Sequence, residues 1–336
     1  MAVFSRFILD APRILRLENR EFSDSLPEDQ ILLKSEASAI SLGTELAAYA
    51  GLPPLRPTVS PYPRVLGYCC ISRIAKTGNC VKNLTVGQRV FSHQPHESGG
   101  TLSEKGALCV IPESISSETA SLIYFCQLAL AAVQTLDLHE KKSALVFGLG
   151  TIGLCAVAVI KALGLHCIAV GNRPTQTCLA AKLGANAACS SNKDARRLIK
   201  EYFDGRVDGI IATANPWSAW QEMLNLTSPN TKIGVLGFPG RGEPPPDFNP
   251  LDSQHFYEKQ LQLLACGIPP AKEDCQDALK ANLNHLLDLM QKRTLSLDAL
   301  LGNTVAPDEV GAFFEKCLAG NKPPKPAIID WRNLAL

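Results

Sequence analysis

Three observations predict an α/β fold built on a doubly wound, mostly parallel sheet, joined to a second region rich in short strands. From residue 143 onward, short apolar runs alternate with helical stretches. A G-x-G-x-x-G motif stands at the first such junction, and before about residue 115 the pattern is one of short strands and turns. A length of 336 residues suits two domains. Hydrophobic residues make up 46% and charged residues 19%, which supplies material for buried cores and argues against wholesale disorder. Lys plus Arg is 33 against 32 for Asp plus Glu, and aromatics are 6%. The chain therefore lacks the cationic excess that releases counterions from a phosphate backbone, and it lacks a surface for base stacking. No nucleic-acid partner is expected.

In chain order, residues 1–10 hold Arg6 and Asp10 within the would-be apolar stretch and no small-residue cleavage site, so they do not read as a signal peptide. Ile31-Leu32-Leu33-Lys34-Ser35-Glu36 reads as a strand, and so does Gln88-Arg89-Val90-Phe91 after Gly87, with turns at Gly78-Asn79 and Asn83. Proline-rich stretches at 53–63, 238–250 and 323–326 mark loops or boundaries. Residues 119–136 and 143–160 each run 18 positions without a charge, the length at which a membrane span becomes a candidate. The first contains Ser121, Gln127, Gln134 and Thr135, and the second contains three glycines, so both read as buried globular segments. No membrane association is expected. Ala144-Leu145-Val146-Phe147 is a buried strand, followed by a helix to about Leu163 that stops at Gly164. Cys167-Ile168-Ala169-Val170 is a second strand, followed by a helix ending at Gly184, and residues 207–212 and 232–236 are further strands. After residue 270, Leu279, Leu283, Leu286, Leu287 and Met290 recur at helical spacing and mark a packed face. The 12 cysteines include no C-x-x-C pair, and Cys155 and Cys167 lie in apolar runs. They read as reduced thiols of a cytoplasmic protein.

Gly148-Leu149-Gly150-Thr151-Ile152-Gly153 follows a strand and opens a helix, the context that gives this motif its meaning. Gly148 permits a tight turn, Gly150 lets the backbone approach a pyrophosphate, and Gly153 lets helix and strand pack closely. The helix N-terminus then offers free N–H groups to phosphates. A dinucleotide is the expected ligand; the alternative is a glycine-rich turn that binds nothing. The second strand ends in Gly171-Asn172-Arg173 instead of the acid that usually holds a ribose 2′-hydroxyl. Gly171 makes room and Arg173 can pair with a 2′-phosphate, so NADP(H) is expected over NAD(H); the competing reading of Arg173 is a solvated loop residue.

On these residues the chain resembles the medium-chain dehydrogenase/reductases from end to end. The resemblance covers Glu36 with Leu42-Gly43-Thr44-Glu45, then Val65-Leu66-Gly67 and Val86-Gly87-Gln88-Arg89-Val90. It continues through the glycine motif and Ala181-Lys182-Leu183-Gly184-Ala185. It implies a Rossmann domain over residues 124–266, flanked by a GroES-like catalytic domain over 1–123 and 267–336. The helix expected at 278–292 and the segment 322–330 would then complete the first domain. It also implies a small-molecule substrate held between domains, and a homodimer is the default assembly.

Zinc-dependent members of that family carry cysteine where this chain has Leu42, and histidine-glutamate where it has Tyr68-Cys69. Their third ligand position, near Tyr124-Phe125, is also unsuitable here. Leucine cannot ligate zinc, and loss of the histidine leaves too few donors for a tetrahedral site. The four-cysteine structural lobe is missing as well. His93-x-x-His96-Glu97 is the remaining metal-like group, and it reads as ordinary loop histidines in a Pro/Gly loop. No metal is expected. The motifs around Leu42 and Tyr68 are most similar to a zinc-lacking subgroup that includes bacteriochlorophyllide a dehydrogenase. The resemblance places Thr44 at the relay-hydroxyl position and Tyr68 at a metal-ligand position. If both face the substrate, the Tyr68 phenol can act as acid, with Thr44 orienting the same oxygen. If not, Tyr68 simply fills the vacated pocket. The expected activity is zinc-independent, NADP(H)-dependent hydride transfer to or from a small carbonyl or alcohol. The alternatives are an NADPH-dependent enoyl or quinone reductase, and a non-catalytic NADP(H)-binding protein.

Overall fold

The computed structural model describes residues 2–22, 25–55, 59–266 and 273–334. They form two compact units: Met1–Tyr124 with Asp277–Gln291 and Leu301–Leu336, and Phe125–Gln276 with Lys292–Leu300. The first unit begins with an antiparallel hairpin, β1 (Ala2–Ala11) and β2 (Ile14–Phe22). Next come β3 (Gln30–Ala39) and α1 (Leu42–Ala50), then β4 (Arg64–Val65), β5 (Cys70–Thr77), β6 (Arg89–Ser92), β7 (Gly99–Ser103) and β8 (Cys109–Ile111). β4 adds to β1 to make a three-stranded sheet. β3 is buried along most of its length because it lies inside its sheet, pairing antiparallel with β5 and with β7. Helix α1 ends at Gly51, whose φ of 73° is the left-handed turn that closes a helix without a Cβ penalty.

The uncharged stretch 119–136 is two helices rather than one, α2 (Ser117–Ser121) and α3 (Ile123–Thr135), divided at Leu122. The second unit continues with β9 (Ala144–Phe147), α4 (Thr151–Ala162), β10 (Cys167–Val170), α5 (Pro174–Lys182), β11 (Ala187–Cys189) and α6 (Asn192–Phe203). It is completed by β12 (Gly209–Ala212), α7 (Trp217–Leu224), β13 (Lys232–Val235) and β14 (Gln262–Ala265). Six strands form one parallel sheet in the order β11-β10-β9-β12-β13-β14. Because both faces of such a sheet are covered, β9, β10 and β12 are buried at every position, and their residues are apolar throughout. Helix α4 is buried at nine of its positions, which explains its almost wholly apolar sequence. The chain proceeds from β9 to β10 on one side and later to β12 on the other. The carboxyl end of β9 is therefore the switch point of the sheet, where ligands of open α/β sheets bind.

The chain then runs through α8 (Glu273–Gln291), β15 (Asn303–Val305), α9 (Val310–Leu318) and β16 (Ala327–Asp330). β16 pairs with β3 and with β15, which gives the larger sheet of the first unit the order β15-β16-β3-β5-β6-β8, with β7 also on β3. Phe7, Leu9, Ile40, Leu46, Tyr49, Phe314, Ile329 and Trp331 fill one core of this unit. The fold is thus a Rossmann sheet joined to a GroES-like β domain. Among the described residues, no helix is long and apolar enough to cross a membrane.

Candidate active site

At the switch point, the three glycines of the motif differ in what surrounds them. Gly148 has φ +99, and a Cβ there would lie 2.7 Å from the Ala214 nitrogen and the Thr213 hydroxyl. A Cβ on Gly153 would lie 1.9 Å from the Gly148 carbonyl oxygen, so helix α4 touches the preceding turn directly. Gly150, the N-cap of α4, has open space where its Cβ would be. Two of the glycines answer to packing, and the third leaves a cradle at the start of α4. Leu149 completes the turn, and Thr151 and Ile152 begin α4. Strand β10 ends at Val170, so Gly171-Asn172-Arg173 follow the second strand as the sequence predicts. Gly171 has a further reason to be glycine, since a Cβ there would lie 2.8 Å from the Leu149 side chain. Arg173 is the N-cap of α5, with Pro174 opening that helix. The 238–250 loop packs on its own unit: the Arg241 guanidinium lies 4.1 Å from the Phe238 ring centroid, and Phe248 meets Trp217 edge-on.

In the first unit, Tyr68 and Thr44 come together. The Tyr68 phenol donates to Ser41 Oγ at 2.5 Å. Burial pushes its pKa well above the usual tyrosine value and the nearby Cys69 adds to the rise; the Ser41 and Thr44 hydroxyls pull the other way, and burial wins. The phenol is therefore neutral, a donor, at any physiological pH. Tyr124 lies edge-on to Tyr68 with ring centroids 5.7 Å apart and stacks on Phe91 at 6.1 Å. Its hydroxyl is buried without a hydrogen-bond partner in the structure. His93 meets the Tyr124 ring at 4.5 Å, and its Nδ1 lies 2.9 Å from the Tyr68 carbonyl. A carbonyl only accepts, so Nδ1 carries the hydrogen and Nε2 keeps its lone pair. Although the ring edge reaches solvent, its aromatic packing holds the imidazole pKa below the ordinary value.

His96 lies in a loop, as the sequence suggests, but it is not an ordinary one: it is 1% exposed, with Nε2 2.8 Å from Glu45 Oε2 and Nδ1 2.8 Å from Ser38 Oγ. Glu97 is buried as well, and burial raises its pKa to about 7. Ser41 and the Glu45–His96 pair escaped the sequence reading because their partners are far off in the chain. The one local signal was Glu45 four residues after a serine that opens a helix. Among the described residues, no group of three or more His, Cys, Asp or Glu could hold a metal ion.

Comparison with known proteins agrees with this architecture. The zinc-binding dehydrogenase family pattern matches residues 151–283, which excludes the positions of Leu42, Tyr68 and Tyr124. Sorbitol dehydrogenase of Bacillus subtilis (strain 168) is 26% identical, covering 82% of this chain and 92% of its own. An L-threonine 3-dehydrogenase of Xanthomonas campestris pv. campestris (strain B100) is 27% identical, covering 64% and 71%. Among solved structures, a short chain alcohol dehydrogenase of Escherichia coli CFT073, complexed with NADH, aligns with TM-score 0.79 at 18% identity. The alignment covers 98% of this chain and 100% of that one. A provisionally assigned zinc-binding dehydrogenase of Sinorhizobium meliloti 1021, bound to NADP, aligns with TM-score 0.77 at 17% identity, covering 98% and 100%. The chain is thus similar over residues 151–283 to the zinc-binding dehydrogenases, and along most of its length to dehydrogenases of the medium-chain dehydrogenase/reductase fold.

Proposed function

We propose that this protein is a zinc-independent, NADP(H)-dependent oxidoreductase that interconverts a small organic carbonyl compound and its alcohol. The observation that carries the proposal is the Tyr68 phenol, neutral and hydrogen-bonded to a hydroxyl; the sequence resemblance implies that related zinc enzymes carry a metal ligand at this position. Two aromatic side chains and Leu42 at the metal positions do not form a zinc-binding donor set, so no step is assigned to a metal. The open cradle at Gly150 and the helix that starts there suit a pyrophosphate, held by residues 148–153. Gly171, Asn172 and Arg173 would meet the adenosine ribose and its 2′-phosphate. In this reading residues 124–266 are the cofactor domain, and 1–123 with 267–336 supply the acid. When bound, the nicotinamide supplies hydride. The chain positions the substrate oxygen, and Tyr68 gives it a proton: the phenol O–H breaks as the alcohol O–H forms. An alkoxide is far more basic than a phenolate, so even a phenol of raised pKa can complete the transfer. Thr44 orients the same oxygen. The unpartnered Tyr124 hydroxyl beside Tyr68 supports a polar guest, because a buried donor asks for an acceptor. Relatives named for sorbitol and L-threonine favour alcohol and carbonyl chemistry over C=C reduction.

The test follows NADPH oxidation at 340 nm with 4-nitrobenzaldehyde, 2-cyclohexen-1-one and 1,4-benzoquinone. Turnover of the aldehyde, undiminished by a strong chelator, is expected. Tyr68→Phe keeps the ring and should lower kcat about tenfold or more with unchanged NADPH binding. Turnover of the enone or quinone alone would move the assignment to C=C or quinone reduction. Binding of NADPH with no turnover of any probe would leave a cofactor-binding protein without catalysis.

A further inference from the structure

Ser41 opens α1, yet its side chain makes no cap hydrogen bond. The contrast lies within the same chain. The Ser116 hydroxyl accepts from the Thr119 N–H, and the Ser191 hydroxyl accepts from the Asp194 N–H, as serines at helix starts commonly do. At Ser41 the roles are divided differently. The Glu45 carboxylate reaches back to the Ser41 backbone N–H at 2.7 Å, and the Ser41 hydroxyl receives the Tyr68 phenol instead. Glu45 is 2% exposed, and its second oxygen meets His96 Nε2 at 2.8 Å. Burying a carboxylate and an imidazole is expensive unless both are satisfied, and here they are. His96 Nδ1 meets Ser38 Oγ at 2.8 Å, and the Trp331 indole N–H donates to that same oxygen at 2.8 Å.

The imidazole also touches the other side of the phenol contact. Gly67, immediately before Tyr68, has φ +92, and a Cβ there would lie 2.5 Å from the His96 ring. The His96 backbone N–H donates to the Leu66 carbonyl at 2.7 Å. His96 thus sets, through its main chain and the packing of its ring on Gly67, the backbone on which Tyr68 stands and, through Glu45, the backbone on which Ser41 stands. A helix start needs no such apparatus, since the serine could cap it alone.

We propose that Ser41 is a positioning residue for the Tyr68 phenol, held in register by the buried Glu45–His96 pair. The inference rests on the role assigned to Tyr68 above. A hydroxyl both accepts and donates. Ser41 accepts from the neutral phenol, and it turns to donate to the phenolate oxygen as the Tyr68 proton passes to the substrate oxygen. No proton leaves Ser41, and the phenolate recovers its proton from solvent after the turnover.

The experiment compares wild type, Tyr68→Phe, Ser41→Ala and Ser41→Thr in NADPH-dependent reduction of 4-nitrobenzaldehyde, with melting temperatures and the solvent deuterium isotope effect on kcat. Ser41→Ala should lower kcat by roughly three- to tenfold, the size of one hydrogen bond, and leave KM for NADPH and aldehyde within about twofold. The isotope effect should rise as proton donation becomes slower. Ser41→Thr restores the hydroxyl and should recover most of kcat. Loss of kcat in step with melting temperature, without recovery by threonine or a change in isotope effect, would reduce Ser41 to a structural role. So would a Ser41→Ala enzyme of wild-type kcat when Tyr68→Phe is impaired. An unimpaired Tyr68→Phe enzyme, or no aldehyde turnover by wild type, would instead remove the acid role of Tyr68, and the positioning role with it.

Discussion

Arg173 illustrates how far a single side chain was legible. The end of β10 at Val170 puts it just beyond the second strand, as the alternating pattern implies. The structure adds a qualification about its neighbour. Gly171 is packed against Leu149, so the absence of an acid there has a steric cause. On the NADP(H) reading proposed above, the charge of Arg173 would carry the cofactor preference. Arg173→Ala should weaken NADPH binding by about 1.5–3 kcal/mol, roughly ten- to a hundredfold in Kd, and leave NADH binding nearly unchanged. Titration of each nucleotide by fluorescence quenching measures both. Equal losses would show that Arg173 supports the loop and not the 2′-phosphate. Tyr68 was legible by position alone; nothing in its sequence neighbourhood indicated that Ser41 receives its hydroxyl.

The turn and helix around the glycine motif form an element whose glycines can be separated by experiment. A methyl on Gly153 would drive into the Gly148 carbonyl, a backbone atom with no rotamer to yield. Gly153→Ala should therefore destabilise the protein by about 1–3 kcal/mol or more, and pull the α4 N-terminus out of place. Gly150→Ala meets open space at φ −72, an ordinary backbone angle for alanine. It should leave the melting temperature of the apoprotein within about two degrees, while NADPH binding weakens because the methyl occupies the cradle. The reverse pattern would mean that Gly150 is kept for packing and that the motif binds no dinucleotide. Strands β9 and β10 and helix α4 match the sequence expectation closely, since four consecutive apolar residues followed by glycine leave few alternatives. The division of 119–136 at Leu122 was not legible, because both helices are apolar across the break.

For the molecule as a whole, Glu97 gives stability a dependence on pH. Its side chain is 5% exposed, with Gln94 Nε2 donating to Oε1 at 2.9 Å, and burial raises its pKa from 4.5 to about 7 despite the opposing pull of Arg20 and Arg6. The folded state thus holds this proton more tightly than the unfolded state does. Its contribution to stability is intact below pH 4.5 and is lost as pH rises through 7, by at most about 3 kcal/mol. Glu97→Gln keeps the shape and cannot ionise. Urea midpoints should be similar for variant and wild type at pH 5, and higher for the variant at pH 8. A wild type that gains stability over the variant between pH 5 and pH 8 would show that Glu97 ionises with a net favourable partner. The sequence suggested a loop for residues 93–97, and the segment is one, but His96 and Glu97 are buried within it because β1 and α1 close over them.

By itself the sequence determined the alternation of strand and helix and the position of the glycine turn. These are properties of neighbours along the chain: an apolar run, a missing Cβ. Only the tertiary structure decided that Tyr68 meets a serine 27 residues away, that His96 meets a carboxylate 51 residues away, and that Trp331 closes the network on a serine 293 residues away. Side-chain hydrogen bonds leave no periodic trace in a sequence. Their geometry exists only once β3, β16 and α1 are packed around them, and the chemistry proposed for Tyr68 depends on that packing.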